Sequence, residues 1–226
     1  MTDDVATIGH DEPGHEDDTA PAAEPVRHDR LRLVLAALVG LVVGVLASVA
    51  VVQLRTSAPS DFGADAGFAR DMQTHHAQAV EMALLVRDRS TDEEVRTVAY
   101  DSLTSQQQQA GQMYGWLVQW GLDQTASRPP MAWVGGEHSE AHAGPDGAMP
   151  GMATDAQLDE LRAADGVEAE RIFLRLMIDH HRGGVAMAEA AVADARTPEA
   201  TTLAGAIASA QTSEIALLER MLQERS

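Results

Sequence analysis

A doubled motif places the strongest constraint on how this chain can fold. The segment Met-Gln-Thr-His-His at residues 72–76 has a counterpart, Met-Ile-Asp-His-His, at residues 177–181, which is 105 positions later. The same offset aligns identical residues on both sides of the motif: Phe68 with Phe173, Val80 with Val185, Met82 with Met187, Ala83 with Ala188, Ala99 with Ala204, Gln106 with Gln211 and Leu117 with Leu222. An ungapped alignment of this kind indicates an internal duplication, with one Met/His cluster in each copy.

The apolar pattern around each motif predicts helices. Apolar residues recur there at steps of three and four, which is the period of one helix face, and a second segment of the same kind follows each motif. We therefore predict two helical hairpins, at residues 61–120 and 166–226, joined by a connection at residues 121–165. Two hairpins with short internal turns form an all-α four-helix bundle.

Several residues predict where these helices begin and end. Residues 90–91, followed by two glutamates, predict a capped start for the second helix, and Gly121 predicts its end. Thr197 stands before a proline, a typical N-cap for the last helix. Thr154, with Gln157 three residues later, predicts a short capped helix within the connection.

The N-terminal part is predicted to contain a membrane anchor at residues 31–54. Residues 33–52 carry no charge, and a helix of that length spans the roughly 30 Å hydrocarbon core of a bilayer. Three arginines precede the apolar run and Arg55 alone follows it, so the positive-inside rule places the N-terminus in the cytoplasm and the later residues outside. A cleaved signal peptide is the alternative, but the preceding segment is long and no small-x-small cleavage site follows.

The composition indicates the character of the remaining segments and excludes some classes of partner. Residues 1–30 are acidic and poor in apolar side chains, so we expect a disordered cytoplasmic tail, and residues 55–60 form a linker to a helical domain at 61–226. The formal net charge of −19 argues against nucleic acid as a partner. The chain has no cysteine, which excludes disulfides and thiolate metal ligands.

The Met/His clusters predict a metal site. Thioether sulfur and imidazole nitrogen together are ligands for copper, as Cu(I), and imidazole also serves Cu(II). The first set of candidate ligands is His75, His76, His180, His181, Met72 and Met177. A second set is Met82, Met187, His138, His142, Met149 and Met152. For the second set, core packing or an inert linker is the alternative interpretation.

Polar residues on the second helix of each hairpin could support the histidines. Gln106 and Gln211 occupy equivalent positions, with Gln109 and Glu214 three residues later. We take Gln106, Gln211 and Glu214 as candidates to hydrogen-bond the free ring nitrogen of a liganding histidine, a common arrangement around metals. The glutamines could equally hydrogen-bond one another across the bundle.

On these residues the chain resembles the family called domain of unknown function 305 (DUF305). The resemblance rests on Phe-x-x-x-Met-x-x-His-His-x-x-x-x-x-Met-Ala at residues 68–83 and again at 173–188, on Met-Pro-Gly-Met at 149–152 and on Gln-x-x-Glu-Ile at 211–215. It implies a ferritin-like four-helix fold in an exported protein, copper binding as for some members, and no established catalysis. The chain departs from the family pattern at Thr74, Gln109, Asp179 and residues 169–170, so the two halves need not bind metal equally.

Three functions compete at this point. The first is a membrane-anchored protein that binds and handles copper outside the cell. The second is an envelope interaction or stress module without metal, in which the histidines are polar core groups. The third is a ferritin-like di-iron oxidase, which needs Glu-x-x-His on facing helices, and neither cluster contains that motif. We therefore expect no enzyme, while the oligomeric state, including a homo-oligomer, stays open.

Overall fold

The computed structural model describes residues 26–56, 58–135 and 149–225, and every regular element in these ranges is an α-helix. The helices are α1 Val26–Thr56, α2 Ala64–Arg89, α3 Glu93–Trp120, α4 Asp155–Ala163, α5 Gly166–Asp194 and α6 Pro198–Gln223. The chain divides into two compact units, one up to residue 56 and one from residue 57 onwards. The predicted all-α class is confirmed.

Helix α1 contains the predicted apolar span. Its residues 29–51 have a mean hydropathy of 2.8, and none of this window is buried within the structure. The helix is thus long and apolar enough to cross a membrane, a property that membrane anchors and signal sequences share. It also includes residues 26–30, which we expected in the tail; Asp29 in the first turn suits a helix N-terminus. Residues 1–25, with the predicted disorder, lie outside the described residues.

The second unit consists of two hairpins that repeat each other. Helix α2 ends at Arg89 and α5 ends at Asp194, while α3 begins at Glu93 and α6 begins at Pro198. Both pairs of positions differ by the sequence offset of the duplication. The short helix α4 lies in the connection and begins with the predicted capping box at Thr154.

A buried carboxylate at the start of α2 closes the turn of the other hairpin. Asp65 Oδ1 accepts hydrogen bonds from the backbone N–H of Arg196 (3.0 Å), from the backbone N–H of Thr197 (2.7 Å) and from the Thr197 hydroxyl (2.7 Å). Thr197 is the N-cap residue of α6, as expected, but its hydroxyl is directed to Asp65 and does not cap the helix. The start of α2 therefore lies beside the end of α5.

The equivalent position in the second repeat, Glu170, makes the reciprocal contact. It accepts hydrogen bonds from the Ser90 hydroxyl (2.6 Å), in the turn of the first hairpin, and from Arg225 Nε (2.7 Å). The N-cap of α3 is Asp92, which accepts from the Val95 N–H (2.9 Å), so the cap predicted at residues 90–91 was wrong. The two carboxylate contacts together make α2 and α5 antiparallel neighbours.

The histidines lie between two apolar clusters of the bundle. One cluster contains Met82 and Met177, and the other contains Met72 and Met187. On each helix the His-His pair falls between its two methionines in the sequence. The antiparallel packing of α2 on α5 thus brings both His-His pairs to the middle of the bundle.

Replacing Asp65 with alanine tests the carboxylate contact between the hairpins. We expect the free energy of unfolding to fall by about 2–3 kcal/mol, because two backbone N–H groups and a hydroxyl lose their charged acceptor. Urea denaturation of the full chain in detergent, followed by tryptophan fluorescence, measures it. The matched control is Asp101→Ala on exposed α3 surface, where we expect a change within about 0.5 kcal/mol. Equal effects of the two substitutions would contradict the assigned role of Asp65.

Candidate metal centre

Adjacent histidines on one helix point about 100° apart, so the two members of each pair face different neighbours. The outer member faces the other helix of its own hairpin. His76 Nε2 lies 2.8 Å from Gln109 Oε1 on α3, and His181 Nε2 lies 2.5 Å from Glu214 Oε2 on α6. Both contacts span the same sequence separation, so they are equivalent in the two repeats.

The inner histidines meet where α2 packs on α5. The rings of His75 and His180 have their centroids 3.7 Å apart and are tilted by 33°. His180 Nε2 lies 2.9 Å from the backbone carbonyl of His75, and His75 Nε2 lies 3.1 Å from the carbonyl of Pro150. The duplication therefore brings the two motifs into direct contact, with all four imidazoles fully buried.

These contacts determine the tautomer of each ring. Every Nε2 faces an oxygen that accepts a hydrogen bond, namely two backbone carbonyls, one amide and one carboxylate. Each Nε2 therefore carries the proton and donates it, which leaves the Nδ1 lone pair free. None of the four Nδ1 atoms has a hydrogen-bond partner among the residues that the structure describes. Unpaired polar atoms in a protein interior are costly, so four of them in one place need an explanation.

Burial also favours the uncharged form of His75, His76 and His180. Loss of solvation, together with a smaller contribution from the neighbouring His76 ring, lowers the pKa of His75 to about 3. Burial lowers the pKa of His76 to about 4, although the hydrogen bond to Gln109 opposes this shift. The pKa of His180 is lowered well below its ordinary value, again mainly by burial. Neutral imidazole is the form that binds metals.

The predicted methionine ligands within the described residues are divided between the two apolar clusters. Met72, Met82, Met177 and Met187 are fully buried, Met149 is buried and Met152 is half-buried. His138 and His142 lie outside the described residues. Across residues 26–56, 58–135 and 149–225, no three His, Asp or Glu side chains are grouped as ligands for one ion. The structure thus brings the histidines together in pairs rather than as a completed coordination sphere.

The supporting side chains differ in part from those expected. Glu214 contacts His181, as expected, and Gln109 makes the equivalent contact with His76. The side-chain amides of Gln106 and Gln211, one turn earlier, are buried without a hydrogen-bond partner within the described part of the chain. Gln211 instead lies against Gly184, where a side chain would come within 2.2 Å of its amide oxygen.

A segment of the connection, residues 149–153, packs onto the inner histidines; we call it the strap. Its Pro150 carbonyl accepts the His75 hydrogen bond, and a Cβ on Gly183 would lie only 2.0 Å from that oxygen. Gln78 holds the end of the strap, since its amide accepts from the Ala153 N–H (2.7 Å) and donates to the Ala153 carbonyl (2.9 Å). Gly151 has a φ of 73°, which favours glycine.

Sequence reasoning missed the contacts of the strap, although one signal was available. Gln78 and Gly183 occupy equivalent positions in the two repeats. One provides an amide for the strap and the other provides room for it. A mismatch of this kind, next to an otherwise repeated motif, marks the place where the connection breaks the symmetry.

Comparison with known proteins assigns the family. Residues 65–222 match the family model described as domain of unknown function (DUF305). The chain belongs to the DUF305 family. A DUF305 protein of Streptomyces coelicolor, described as secreted, is 47% identical over 74% of this chain and 96% of its own, with a TM-score of 0.67. A DUF305 fragment from Deinococcus radiodurans is 34% identical over 74% of this chain and 99% of its own, with a TM-score of 0.60.

A more distant similarity concerns a protein solved with metal. CopM in its Cu(II)-bound form is 29% identical to this DUF305 chain over 72% of this chain and 97% of its own, with a TM-score of 0.54. CopM structures in Cu(I)-bound and silver-bound forms match as well. No curated protein matches the chain. The family-model match over residues 65–222 confirms the family predicted from the doubled motif.

Replacing Gly183 with alanine tests how the strap is seated. The added methyl group would collide with the Pro150 backbone, so we expect the free energy of unfolding to fall by about 1–3 kcal/mol. Gly111→Ala is the matched control, because it is also helical and has no atom within 4 Å of the new Cβ. That control should gain about 0.5–1 kcal/mol from its better helix propensity. A stabilised Gly183→Ala variant would show that the strap does not rest on this helix.

The buried histidines should make the domain sensitive to acid. The folded pKa values of His75, His76 and His180 lie below the unfolded value near 6.5, so unfolding takes up protons and stability falls as the pH drops below about 6.5. Between pH 7 and pH 5 we expect a loss of about 2 kcal/mol for each of His75 and His76. Urea denaturation at the two pH values measures it. Replacing His76 with glutamine should reduce the difference in unfolding free energy between the two pH values by about 2 kcal/mol. An unchanged difference would contradict the assignment of the acid sensitivity to the buried histidines.

Proposed function

We propose that this DUF305 protein binds copper outside the cytoplasmic membrane, where it sequesters the metal or passes it on. The observation that supports the proposal best is the set of four buried imidazoles, each held by a hydrogen bond at Nε2 and each without a partner at Nδ1 within residues 26–56, 58–135 and 149–225. A neutral imidazole with one nitrogen fixed and the other free is the form in which histidine binds a metal.

The chemistry of the neighbouring side chains favours copper. Met72 and Met177 lie one turn before the histidines, and thioether sulfur with imidazole nitrogen suits Cu(I). The absence of cysteine from the sequence makes a structural zinc site less suitable. Similarity to CopM, solved in Cu(I)-bound and Cu(II)-bound forms, supports the same choice.

We assign the principal metal ligands to the two Met/His motifs. His75, His76, His180 and His181 would supply nitrogen, and Met72 and Met177 would supply sulfur. Glu214 and Gln109 would hold the outer rings through Nε2. Further sulfur or nitrogen would come from Met82, Met187, Met149, Met152, His138 and His142. The proposal includes no catalytic step, because neither motif contains the Glu-x-x-His of ferritin-like oxidases.

The location outside the cytoplasm rests on the apolar helix α1. We propose that residues 31–54 remain as an anchor with the N-terminus in the cytoplasm, because the arginines concentrate on the N-terminal side. The Streptomyces coelicolor relative described as secreted supports export of the helical domain. A protease added to intact cells should then cleave the helical domain and spare the N-terminal tail.

A non-metal envelope module is the second candidate. The observation that favours it is that no three His, Asp or Glu side chains in the described ranges are grouped as ligands. In that case the imidazoles would serve only as hydrogen-bonding core groups. Copper binding distinguishes the two candidates directly.

Copper affinity of the full chain in detergent tests the proposal. A chromophoric chelator competes for the metal, for Cu(I) under reducing, oxygen-free conditions and for Cu(II) in air. We expect His76→Ala/His181→Ala to weaken binding at least about 100-fold, because the removed ligands and their outer acceptors act together. The matched control, His10→Ala/His15→Ala, removes the same number of histidines from the N-terminal tail, which holds no proposed ligand, and should leave copper affinity unchanged.

The outcome is interpretable only for folded variants, so helix content and the unfolding midpoint accompany each titration. Copper should also raise the midpoint of the wild-type chain, because a ligand that binds only the folded state stabilises it. Unchanged copper affinity in the folded His76→Ala/His181→Ala variant, or no binding by the wild type, would contradict the proposed function.

A further inference from the structure

The two outer histidines have the same geometry but unequal acceptors. His76 donates its Nε2 proton to the Gln109 amide oxygen at 2.8 Å, and His181 donates to the Glu214 carboxylate at 2.5 Å. Each acceptor follows its histidine by 33 residues, so the two contacts are related by the duplication. The inner histidines do not differ in this respect, since both donate to backbone carbonyls. Charge on the outer acceptor therefore distinguishes the two halves of the cluster.

A carboxylate changes the metal affinity of the ring that donates to it. By accepting the hydrogen bond from Nε2–H, it increases electron density on the ring and makes Nδ1 a stronger donor to a metal. It also places a negative charge near the interior, where a cation without a counter-charge is costly. A neutral amide orients the ring equally well but provides much less of the first effect and none of the second.

Both acceptor side chains are only partly buried, so neither is cut off from solvent. The Glu214 side chain is 29% exposed, so it keeps contact with solvent while it holds His181. Gln109 is likewise half-buried at the equivalent place on α3. Exchanging glutamate and glutamine at these positions changes one atom of each side chain in a site that already accommodates both.

We infer that Glu214 makes the second hairpin the preferred half of the centre, so that copper binds first at the cluster that contains His181. This inference rests on the proposed copper binding. Glu214 acts as a positioning residue through the His181 ring and is not a ligand. The first hairpin, with Gln109 behind His76, then takes part in weaker binding or in release of the metal.

A reciprocal exchange of the two acceptors tests the inference on the full chain in detergent. The variants are Glu214→Gln, Gln109→Glu and the double exchange, titrated with copper in the oxidation state that the wild type binds more tightly. Glu214→Gln should weaken the tightest binding step by about 10- to 100-fold, and the double exchange should restore it. Gln109→Glu alone should strengthen binding at the first hairpin, so that the two halves become alike.

Single histidine substitutions show which hairpin holds the first copper ion. In the wild type, His181→Asn should weaken the tightest step far more than His76→Asn. In the double exchange this order should reverse, because the carboxylate now stands behind His76. Equal effects of the two substitutions in the wild type, or no reversal after the exchange, would overturn the inference while leaving copper binding itself intact.

A metal-free measurement keeps the inference separate from the proposed function. The ¹⁵N chemical shifts of the imidazoles report both tautomer and acceptor, so the His181 and His76 Nε2 signals should differ in the apo protein and exchange their pattern in the double variant. Identical signals would remove the premise of unequal acceptors. A wild-type chain that differs in these signals but binds no copper contradicts the proposed function and, with it, the order of loading.

Discussion

Four imidazoles enclosed in the middle of a helical bundle are the constraint to which the rest of this domain conforms. A polar ring can be buried only if its N–H finds an acceptor, and each ring here finds a different one. The second helix of each hairpin provides Gln109 or Glu214, the facing motif provides the His75 carbonyl, and the connection provides Pro150. Both hairpins and the strap must therefore be in place before all four histidines are satisfied.

Much of this arrangement could be predicted from the sequence because it follows from periodicity. The repeat at a fixed offset, the three- and four-residue apolar steps and the Gly121 stop predict two hairpins, and the structure has both. The contact of His75 with His180 does not follow from periodicity, because the repeat leaves open whether the two motifs meet or form separate sites. The family itself was predicted from the same motif.

Other features depend on contacts between distant segments, and no local pattern reports them. Gln106 matches its repeat partner and was expected beside a histidine, yet Gln109, which does not match, makes the contact. Gln106 and Gln109 lie about one turn apart on the same face of α3, so helical geometry alone allows either residue to face the ring. Ser90 resembles a helix cap but bonds to Glu170, which is 80 residues away. In each case the position in the fold overrides the local preference of the residue.

The reciprocal contacts of Asp65 and Glu170 also bear on how such a chain could have arisen. In each copy, a carboxylate on the first helix of the hairpin binds to the turn of the other hairpin. A two-fold dimer makes self-complementary contacts of this kind. A gene for a single hairpin could thus have produced a working dimer before duplication joined the copies. Fusion then freed the two halves to diverge, because a substitution no longer had to appear on both sides of the axis at once.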